Sequence, residues 1–309
     1  MTIHPVFLGC DISKEHLDIF DPRDAACRRL DNTEPAITEW LGTLVGRDVR
    51  LVFEATGPYD RRLSALLAAQ GMPFSRVNPK RARAFAEASG RLAKTDALDA
   101  RMLADMGRSR QPAITPPPSP ACQRLAALNR RRDQLVAMRQ QETVRLKEAE
   151  KSERLSLQRH IDWLTAEIKK LEAARDALIR QDPELSRLAR LLRSIPGIGP
   201  VAAATLIAQM PELGTLTPKA AAALAGLAPF NVDSGRRRGQ RSISGGRRRV
   251  RKALYMAAVT ARRSSSRLGA FAQTLDDKKK PYKLANIALA RKILTIANAV
   301  IRDQKPYCP

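Results

Sequence analysis

The stretch VFLGCDIS, residues 6–13, decides how the first third of this chain folds. Its apolar run predicts a buried strand that ends at an acidic residue, Asp11. The segments HLDIFD (16–21) and CRRLDN (27–32) predict two more strands directly after it. Three strands therefore follow one another before any helix is predicted.

Helix-like and strand-like segments then alternate along the chain. EPAITEWLGTLV (34–45) predicts a helix, and VRLVFEATG (49–57) predicts a buried strand that ends near Glu54. The remaining elements are predicted as a helix at 58–71, a strand at 72–79, and helices at 80–88 and 95–107. Three consecutive strands followed by this alternation are typical of the ribonuclease-H-like fold, a mixed sheet flanked by helices. We therefore predict an α/β domain over residues 1–110.

Four acidic residues stand where a metal-dependent nuclease needs them. Asp11 and Glu54 end two predicted strands. Asp96 and Asp99 lie three residues apart, on one face of a predicted helix. Taken singly, each is explained as a turn residue or a solvated charge, except Glu54, whose burial is costly without a cation or a basic partner. Together they predict a Mg²⁺ site, because carboxylates converge on divalent cations and such cations make a phosphodiester open to attack.

Charge is distributed unevenly along the chain. The 309 residues carry 55 Lys and Arg against 31 Asp and Glu, a net charge of +24. Residues 1–110 account for only +2 of this, and the rest of the chain for +22. A region this basic favours a polyanionic partner such as nucleic acid. A membrane surface is the alternative, but no segment approaches about 20 consecutive apolar residues.

The N-terminus and the cysteines indicate where the protein works. MTIHPVFLGCDIS lacks the basic flank and the long apolar core of a signal peptide. The four cysteines, Cys10, Cys27, Cys122 and Cys308, form no CxxC pair, so neither a zinc site nor a disulfide framework is indicated. We expect a cytoplasmic protein with free thiols.

A proline-rich segment, QPAITPPPSP (111–120), marks a boundary, because five prolines in ten residues cannot continue a helix or a central strand. Beyond it, residues 121–182 contain neither Gly nor Pro. Their apolar residues follow coiled-coil spacing in two seams: Leu125, Leu128, Leu135 and Met138, then Ile161, Leu164, Ile168, Leu171 and Leu178. The seams are out of phase across KEAEKSER (147–154), so one long helix with a stutter and a helical hairpin both fit.

The helical arm, taken as residues 121–183, has two possible roles. It packs within its own chain, or it pairs protomers, and a narrow two-position seam favours the second role. After it, residues 184–309 are predicted to form a mainly helical domain.

Two features of this last domain favour binding to a nucleic-acid backbone. LLRSIPGIGPVAAATLIAQM (191–210) predicts helix, tight turn, helix, with Gly197 and Gly199 in the turn. This is the helix-hairpin-helix pattern, which contacts phosphates without reading sequence, although an ordinary turn between helices has the same signature. Residues 234–252 contain nine basic residues and no acidic one. They are Arg236, Arg237, Arg238, Arg241, Arg247, Arg248, Arg249, Arg251 and Lys252.

A serine among these arginines is a candidate nucleophile. Ser234 precedes Gly235 and three arginines, and Ser242 and Ser244 follow within ten residues. A hydroxyl so placed can attack a phosphodiester while guanidinium groups stabilise the developing charge. Ser-Gly is also a common turn pair, so the pattern alone leaves both readings open.

Seven motifs of the chain belong together: GCDISKEHLD, VFEATGPY, VNPKRARAFAEASG, KTDALDARMLA, SIPGIGP, GLAPFNVDSGRRRGQRSIS and RKALYMAA. They resemble the transposases of the insertion-sequence 110 family, which is related to the Piv-type DNA invertases. The resemblance extends from about residue 7 to about residue 275. It departs from the family at Gly245-Gly246, where a basic residue often precedes Gly, and beyond Leu275.

The resemblance implies a set of roles. An N-terminal RuvC-like domain holds Mg²⁺ through an Asp-Glu-Asp-Asp set, matched here by Asp11, Glu54, Asp96 and Asp99. A Ser-Gly motif supplies the nucleophile, matched by Ser234. Family members are similar to recombinases in which a structured bridge RNA pairs with donor and target DNA. They assemble as dimers and tetramers with composite active sites, at the nucleoid in the bacterial cytoplasm.

We therefore expect a DNA transposase without a membrane partner. A RuvC-like, structure-selective endonuclease that hydrolyses with water is the alternative, because it shares all four carboxylates. A nucleic-acid-binding protein without catalysis is a third hypothesis, against which the four intact acidic residues speak.

Overall fold

The computed structural model describes residues 5–55, 57–90, 96–117, 119–230, 233–234, 237–238 and 241–308. At residues 96, 97, 230, 233, 234, 237 and 238 only the backbone is described. The chain forms two compact units, residues 1–117 and 118–309. Their boundary falls inside the predicted proline-rich linker, and the predicted helical arm lies in the second unit.

The first unit is built on a five-stranded sheet. The strands are β1 (Val6–Ile12), β2 (His16–Asp21), β3 (Ala26–Asp31), β4 (Val49–Glu54) and β5 (Phe74–Val77). Their order in the sheet is β3-β2-β1-β4-β5, with β1, β2 and β3 antiparallel and β1, β4 and β5 parallel. The predicted α/β character of this region is confirmed, and its three opening strands lie where the sequence pattern predicted them.

Helices cover both faces of this sheet, because its central strands are apolar on both sides. The helices are α1 (Glu34–Gly42), α2 (Arg61–Ala69), α3 (Pro79–Ala88) and α4 (Asp96–Arg110). On one face, Leu8 and Phe53 pack in a cluster with Ile37 of α1 and Leu63 of α2. On the other face the cluster comprises Phe7, Val52, Val77, Ala82, Met102, Leu103 and Met106. The second face is therefore the one that α4 covers.

Gly9 allows α4 to pack directly on β1. A Cβ atom at this position would lie 1.9 Å from the carbonyl oxygen of Ala100 and 2.5 Å from the amide nitrogen of Ala104. Both are backbone atoms, which cannot move aside as a flexible side chain would. The absence of a side chain at residue 9 therefore sets the distance between the strand and the helix.

The second unit begins with two long helices, α5 (Pro120–Glu148) and α6 (Lys151–Gln181). Only Ala149 and Glu150 connect them, and Glu150 forms a capping box with Glu153 at the start of α6. The two helices run antiparallel, since Arg132 pairs with Glu172 and Arg139 donates to Thr165. Of the two arrangements left open by the sequence, the structure has the hairpin.

The apolar seams of the arm are used inside this hairpin. Leu135 of α5 packs against Leu164 and Ile168 of α6 in one buried cluster. Leu125 instead joins the core of the second unit. Met138, which the spacing placed in the first seam, is 39% exposed. Met138 therefore takes no part in the buried cluster between α5 and α6.

Six further helices lie in the described part of the second unit. They are α7 (Pro183–Arg193), α8 (Pro200–Gln209), α9 (Pro218–Ala225), α10 (Arg248–Ala261), α11 (Arg267–Asp277) and α12 (Tyr282–Asp303). Four two-residue strands lie between α9 and α10: β6 (Pro229–Phe230), β7 (Asp233–Ser234), β8 (Arg237–Arg238) and β9 (Ser242–Ile243). The mainly helical character of this region agrees with the prediction.

The last helix, α12, is long and apolar enough to cross a membrane by length and composition alone. Its buried residues, among them Leu289, Ile293 and Leu294, belong to the core of the second unit. The buried Asn298 accepts a hydrogen bond from the amide of Gly214 at 2.9 Å. Packing of this kind is that of a central core helix.

Candidate functional site

Two of the predicted acidic residues lie side by side at one edge of the sheet. β1 and β4 are parallel with Cys10 opposite Phe53, so the register continued by one residue places Asp11 beside Glu54. Side chains alternate along a strand, which puts Asp11 on the same face as Gly9, and Glu54 on the same face as Val52. Both carboxylates therefore face α4, at the carboxyl ends of their strands.

The direction of α4 brings its acidic first turn to this edge. Gly9 abuts Ala100 and Ala104, whereas Gly107 abuts the ring of Phe7. The helix therefore runs antiparallel to β1, with its N-terminal end toward Asp11. Asp96 is the first residue of α4, and Asp99 follows within its first turn. Three strand and helix ends that are distant in the sequence thus meet at one place.

The chemistry of this edge is that of a hard-cation site. Asp11, Glu54 and Asp99 are half-buried, and each is held by at least one hydrogen bond, ion pair or other electrostatic interaction. Oxygen donors of this type suit Mg²⁺. Among the residues that the structure describes, no three His, Cys, Asp or Glu groups are close enough to hold a metal ion. The side chain of Asp96 lies outside the described part.

A fifth carboxylate lies beside them, and the sequence analysis did not find it. Asp18 of β2 is directly opposite Asp11 in the antiparallel register and is only 7% exposed. Arg29 of β3 donates to both of its oxygens, from Nε at 3.1 Å and from Nη2 at 3.0 Å. The ion pair with Arg29 explains how the Asp18 carboxylate remains buried next to Asp11. Its position in HLDIFD is the usual polar position of an alternating strand, so no local signal marked it.

Ser234, the candidate nucleophile, lies in the second unit in one of two short strand pairs, β6 with β9 and β7 with β8, which together we call the ribbon. Pro229 and Phe230 pair with Ile243 and Ser242 at its base. Farther out, Asp233 and Ser234 pair with Arg238 and Arg237. Ser234 is the last residue of β7 and pairs with Arg237, the first residue of β8.

Three glycines and one arginine close the base of this ribbon, and we call them the clamp: Gly226, Gly245, Gly246 and Arg251. A Cβ atom on Gly246 would lie 2.1 Å from the amide nitrogen of Gly226, and all three glycines have positive φ. Arg251 Nη1 donates to the carbonyl oxygens of Gly245 at 2.8 Å and Gly226 at 3.4 Å. The Gly245-Gly246 pair, which departs from the family pattern, is therefore what allows the two ends of the ribbon to approach.

Several of the basic residues predicted to contact nucleic acid are engaged within the second unit. Arg247 donates to both carboxylate oxygens of Glu212, at 2.7 and 2.6 Å, and to the carbonyl oxygen of Gln209. Burial opposes the ionisation of Glu212, but Arg247 outweighs it and holds the pKa of this carboxyl below its usual value. Arg249 lies 3.5 Å from Asp133. The exposed members with described side chains are Arg241, Arg248 and Lys252.

The turn between α7 and α8 combines a packing glycine with an exposed one. Gly197 has φ +91°, and a Cβ atom there would lie 2.2 Å from the carbonyl oxygen of Ala257, so this glycine serves contact with α10. Gly199 has no atom within 4 Å of such a position and is exposed. It directly precedes Pro200, the first residue of α8, and leaves the first amides of that helix accessible.

A groove of about 610 Å³ lies at this turn, between α5 and α10. Its lining includes the first residues of α8 and the basic side chains of Arg132, Arg193, Arg249 and Lys252. Arg132 is paired with Glu172 and Arg249 with Asp133, so the N-terminus of α8, Arg193 and Lys252 are the main attraction for an anion. The groove can therefore receive a phosphate group.

Comparison with known proteins agrees with both units. Residues 8–152 match the IS110 family of DEDD transposases, described as "Transposase". Residues 189–273 match the family described as "Transposase IS116/IS110/IS902 family". The first match covers most of the sheet with its acidic edge and the α5 side of the groove, and the second covers the rest of the groove, the ribbon and the clamp.

Two relatives share most of the length of the chain. The pilin gene-inverting protein of Moraxella bovis is 32% identical over 271 residues, which cover 84% of this chain and 82% of the relative. The pilin gene-inverting protein of Moraxella lacunata has the same identity and coverage. On these matches, the chain belongs to the IS110 family of transposases and is a DNA transposase/recombinase.

Proposed function

We propose that this transposase moves an insertion sequence in a bacterial cell by cleaving and rejoining DNA strands, guided by a structured bridge RNA. The observation that carries the proposal is the meeting of Asp11, Glu54 and the first turn of α4 at one edge of the sheet. The acidic side chains lie on a nearly neutral unit, and the other unit is strongly basic. This distribution of charge suits chemistry on a bound polyanion.

We assign the first unit to the RuvC-like, ribonuclease-H-like fold. The sheet order β3-β2-β1-β4-β5, with three antiparallel strands followed by two parallel ones, supports this assignment. In such a sheet, residues at the carboxyl ends of neighbouring strands share one edge. The assignment therefore explains why β1 and β4 both carry a carboxylate near their carboxyl ends.

Asp11, Glu54, Asp96 and Asp99 are proposed as the ligands of Mg²⁺. Once bound, the cation draws charge from the scissile phosphate and makes its phosphorus easier to attack. Asp11 and Glu54 are fixed by the central strands, and Asp99 by a helix that packs on them without an intervening side chain. The Asp18–Arg29 pair adds a buried neighbour whose negative charge is already balanced.

Ser234 is proposed as the nucleophile. Its Oγ attacks the scissile phosphorus, an Oγ–P bond forms, and the P–O bond to the departing strand breaks. The hydroxyl proton passes to solvent, and the departing strand takes a proton in turn. A second strand end then reverses the attack and restores the serine, so no net hydrolysis takes place. Arg236, Arg237 and Arg238 follow Ser234 in the sequence and can offset the charge on the transferred phosphate.

The nucleic acids are proposed to bind the second unit through their backbones. The groove at the start of α8 and the exposed Arg241, Arg248 and Lys252 offer positive charge without base-reading geometry. Sequence selection is then left to base pairing with the RNA, as in other RNA-guided systems. Inversion of a pilin gene by the Moraxella relatives, as their names state, supports strand exchange at chosen sites.

The active form is proposed as a dimer, or a tetramer formed by two dimers, in which one protomer's carboxylates work with another's serine. Ile168 and Leu171, which were expected to pair protomers, pack within the hairpin with Leu135. Large apolar side chains of the hairpin that are exposed and available to a partner are Met138, Val144, Leu155 and Trp163, which are 39%, 46%, 62% and 53% exposed. They support pairing through the distal part of the hairpin.

The decisive experiment is trapping of a covalent protein–DNA adduct on a nicked suicide substrate with the guide RNA present. We expect Ser234→Ala to lose the adduct and the matched variant Ser244→Ala to keep it. An adduct that persists in Ser234→Ala moves the role to another serine. Cleavage by the wild-type protein without any adduct favours the alternative, a RuvC-like endonuclease that uses water.

A further inference from the structure

A second basic surface lies in the second unit, outside the groove and the ribbon. It surrounds Arg262, at the end of α10, whose guanidinium joins three elements. Arg262 pairs with Asp276 of α11 and donates to Asn286 Oδ1 of α12 at 3.1 Å. It also lies over the ring of Tyr282, 4.8 Å from the ring centre. The end of α10, the end of α11 and the start of α12 are thereby held together.

This junction presents a concentration of exposed cations. We call it the Lys–Tyr patch and define it as Arg263, Lys278, Lys279, Lys280, Tyr282 and Lys283, all of which are exposed. Residues 262–283 contain seven basic and two acidic side chains. Asp276 pairs with Arg262, and Asp277 accepts from Gln273 at 2.9 Å. Arg262 therefore balances one of the two acidic charges of the segment, while Asp277 and the lysines face solvent.

The position of the lysines after the end of α11 explains only part of the positive charge of the patch. Lysine is favourable after the last turn of α11, because it offsets the helix dipole. That effect falls off within one turn, yet Lys283 lies past the end of α11 and within the first turn of α12. At a helix N-terminus a lysine is unfavourable. The patch thus carries positive charge where helix stability alone does not call for it.

Tyr282 gives the patch a flat apolar surface. Its side chain is 52% exposed, although aromatic residues are only 4% of the chain. Arg262 lies over the ring and fixes its orientation, while the exposed part remains open to solvent. A fixed, half-exposed ring among lysines is the arrangement on which unpaired bases stack while their phosphates meet cations.

We infer that the Lys–Tyr patch binds an unpaired nucleic-acid strand, with a base stacked on Tyr282 and neighbouring phosphates held by Lys278, Lys279, Lys280 and Lys283. A duplex is a poorer fit, because its bases are not available to the ring. An anionic membrane is also a poorer fit, because Tyr282 and Leu284 are the large apolar side chains exposed there, and membrane binding requires a wider apolar face. The site is additional to the proposed catalytic residues and shares none of them.

The charge of the patch is tested by binding of fluorescent 20-nucleotide strands to the full chain. A triple variant, Lys278→Ala with Lys279→Ala and Lys280→Ala, is compared with a control of equal charge, Lys147→Ala with Lys151→Ala and Lys169→Ala. We expect only the patch variant to flatten the log–log dependence of affinity on salt, by roughly 0.7 for each phosphate of the single strand that the protein no longer neutralises. Equal weakening in both variants would show general attraction and overturn the inference.

The ring is tested separately with Tyr282→Leu, which keeps an apolar side chain but removes the stacking surface, and with Tyr282→Phe as the control. We expect Tyr282→Leu to weaken single-strand binding about tenfold, and Tyr282→Phe to bind as the wild type does. Binding to a duplex of the same sequence should not change. A thermal melt of each variant checks that Arg262 still holds the junction.

The remaining outcomes separate the possible sources of the strand. Single strands of RNA and of DNA with the same sequence show which of the two the patch prefers, and either preference supports the inference. Equal weakening of duplex binding in Tyr282→Leu would overturn it, as would tighter binding to anionic lipid vesicles than to either strand. These measurements report strand binding alone, so the absence of a serine adduct in the wild-type protein would contradict the proposed catalytic mechanism without bearing on the patch.

Discussion

The acidic edge of the first unit and the serine ribbon of the second are held in place by opposite means. Asp11 and Glu54 lie near the carboxyl ends of β1 and β4, where the preceding residues are buried on both faces of the sheet. Helix α4 lies directly against Gly9. Ser234 stands on strands of two residues each, beyond the clamp that closes their base. The first site is fixed by packing, and the second by a few backbone contacts at one end.

The two sites should therefore respond differently to substitution. Residues fixed by a packed core hold their geometry without a ligand, as metal ligands must. The proposed nucleophile, Ser234, depends for its placement on the few backbone contacts at the base of its ribbon. We therefore expect changes at the acidic edge to act through chemistry or folding, and changes at the clamp to act through positioning.

The largest effect is expected at the acidic edge. Glu54→Gln removes a proposed metal ligand while keeping its shape, so the strand-cleavage rate should fall about 1000-fold or more. DNA and RNA binding, measured by band shift, should remain. Glu87→Gln, on the exposed surface of α3, is the control for removal of a negative charge and should cleave normally. Normal cleavage by Glu54→Gln would contradict the site.

Next comes the contact that positions α4. Gly9→Ala places a Cβ atom 1.9 Å from the Ala100 carbonyl oxygen, so the free energy of unfolding should fall by about 3 kcal/mol. Urea unfolding measures the change. Gly42→Ala, at the end of α1 with no atom within 4 Å of the new Cβ, is the control and should leave stability nearly unchanged. An equally mild effect at residue 9 would mean that helix and strand are not in direct contact.

A smaller effect is expected at the clamp. Arg251→Gln removes the guanidinium that joins Gly226 and Gly245, so formation of the serine adduct should slow at least about tenfold through misplacement of the ribbon. Arg248→Gln, an exposed neighbour on α10, controls for the effect of removing a positive charge on DNA binding. If both variants slow adduct formation equally, charge and not positioning is the cause.

The smallest effect concerns the Glu212–Arg247 pair at the start of α10. The pKa of Glu212 is lowered in the folded protein, so its contribution to stability is present above the ordinary Glu value of 4.5 and is lost as the pH falls below it. Glu212→Gln should lower the free energy of unfolding at pH 7 by about 1 kcal/mol. It should also flatten the acid side of the stability profile. An unchanged acid limb would contradict the role of this pair.

The sequence predicted the strands that carry Asp11 and Glu54 but gave no sign of the ribbon or its clamp, for physical reasons. Strand patterns are local, so β1, β4 and the acidic residues near their carboxyl ends could be predicted directly from the sequence. The order of strands then implied that Asp11 and Glu54 meet. The clamp brings together Gly226 and Gly246, twenty residues apart, and no local periodicity reports such a contact.

Two other features could not be predicted from the sequence, because they depend on tertiary contacts. Asp18 has the polar position of an ordinary alternating strand, and only the register with Asp11 shows where it lies. The spacing of Leu164 and Ile168 is the same whether α6 packs on a partner or on α5 of its own chain. The capping box at Glu150 and Glu153 marks the reversal, but an acidic pair in a charged helix is too common to predict it.

The reversal at Glu150 makes the length of the hairpin independent of its attachment. Leu125 of α5 and Leu178 of α6 both contact the core of the second unit, so the two helices begin and end at the same place. Removing seven residues from each helix would shorten the hairpin by about 10 Å and leave both attachments unchanged. Insertions or deletions of equal length in the two helices can therefore change how far the hairpin extends without disturbing the core to which it is attached.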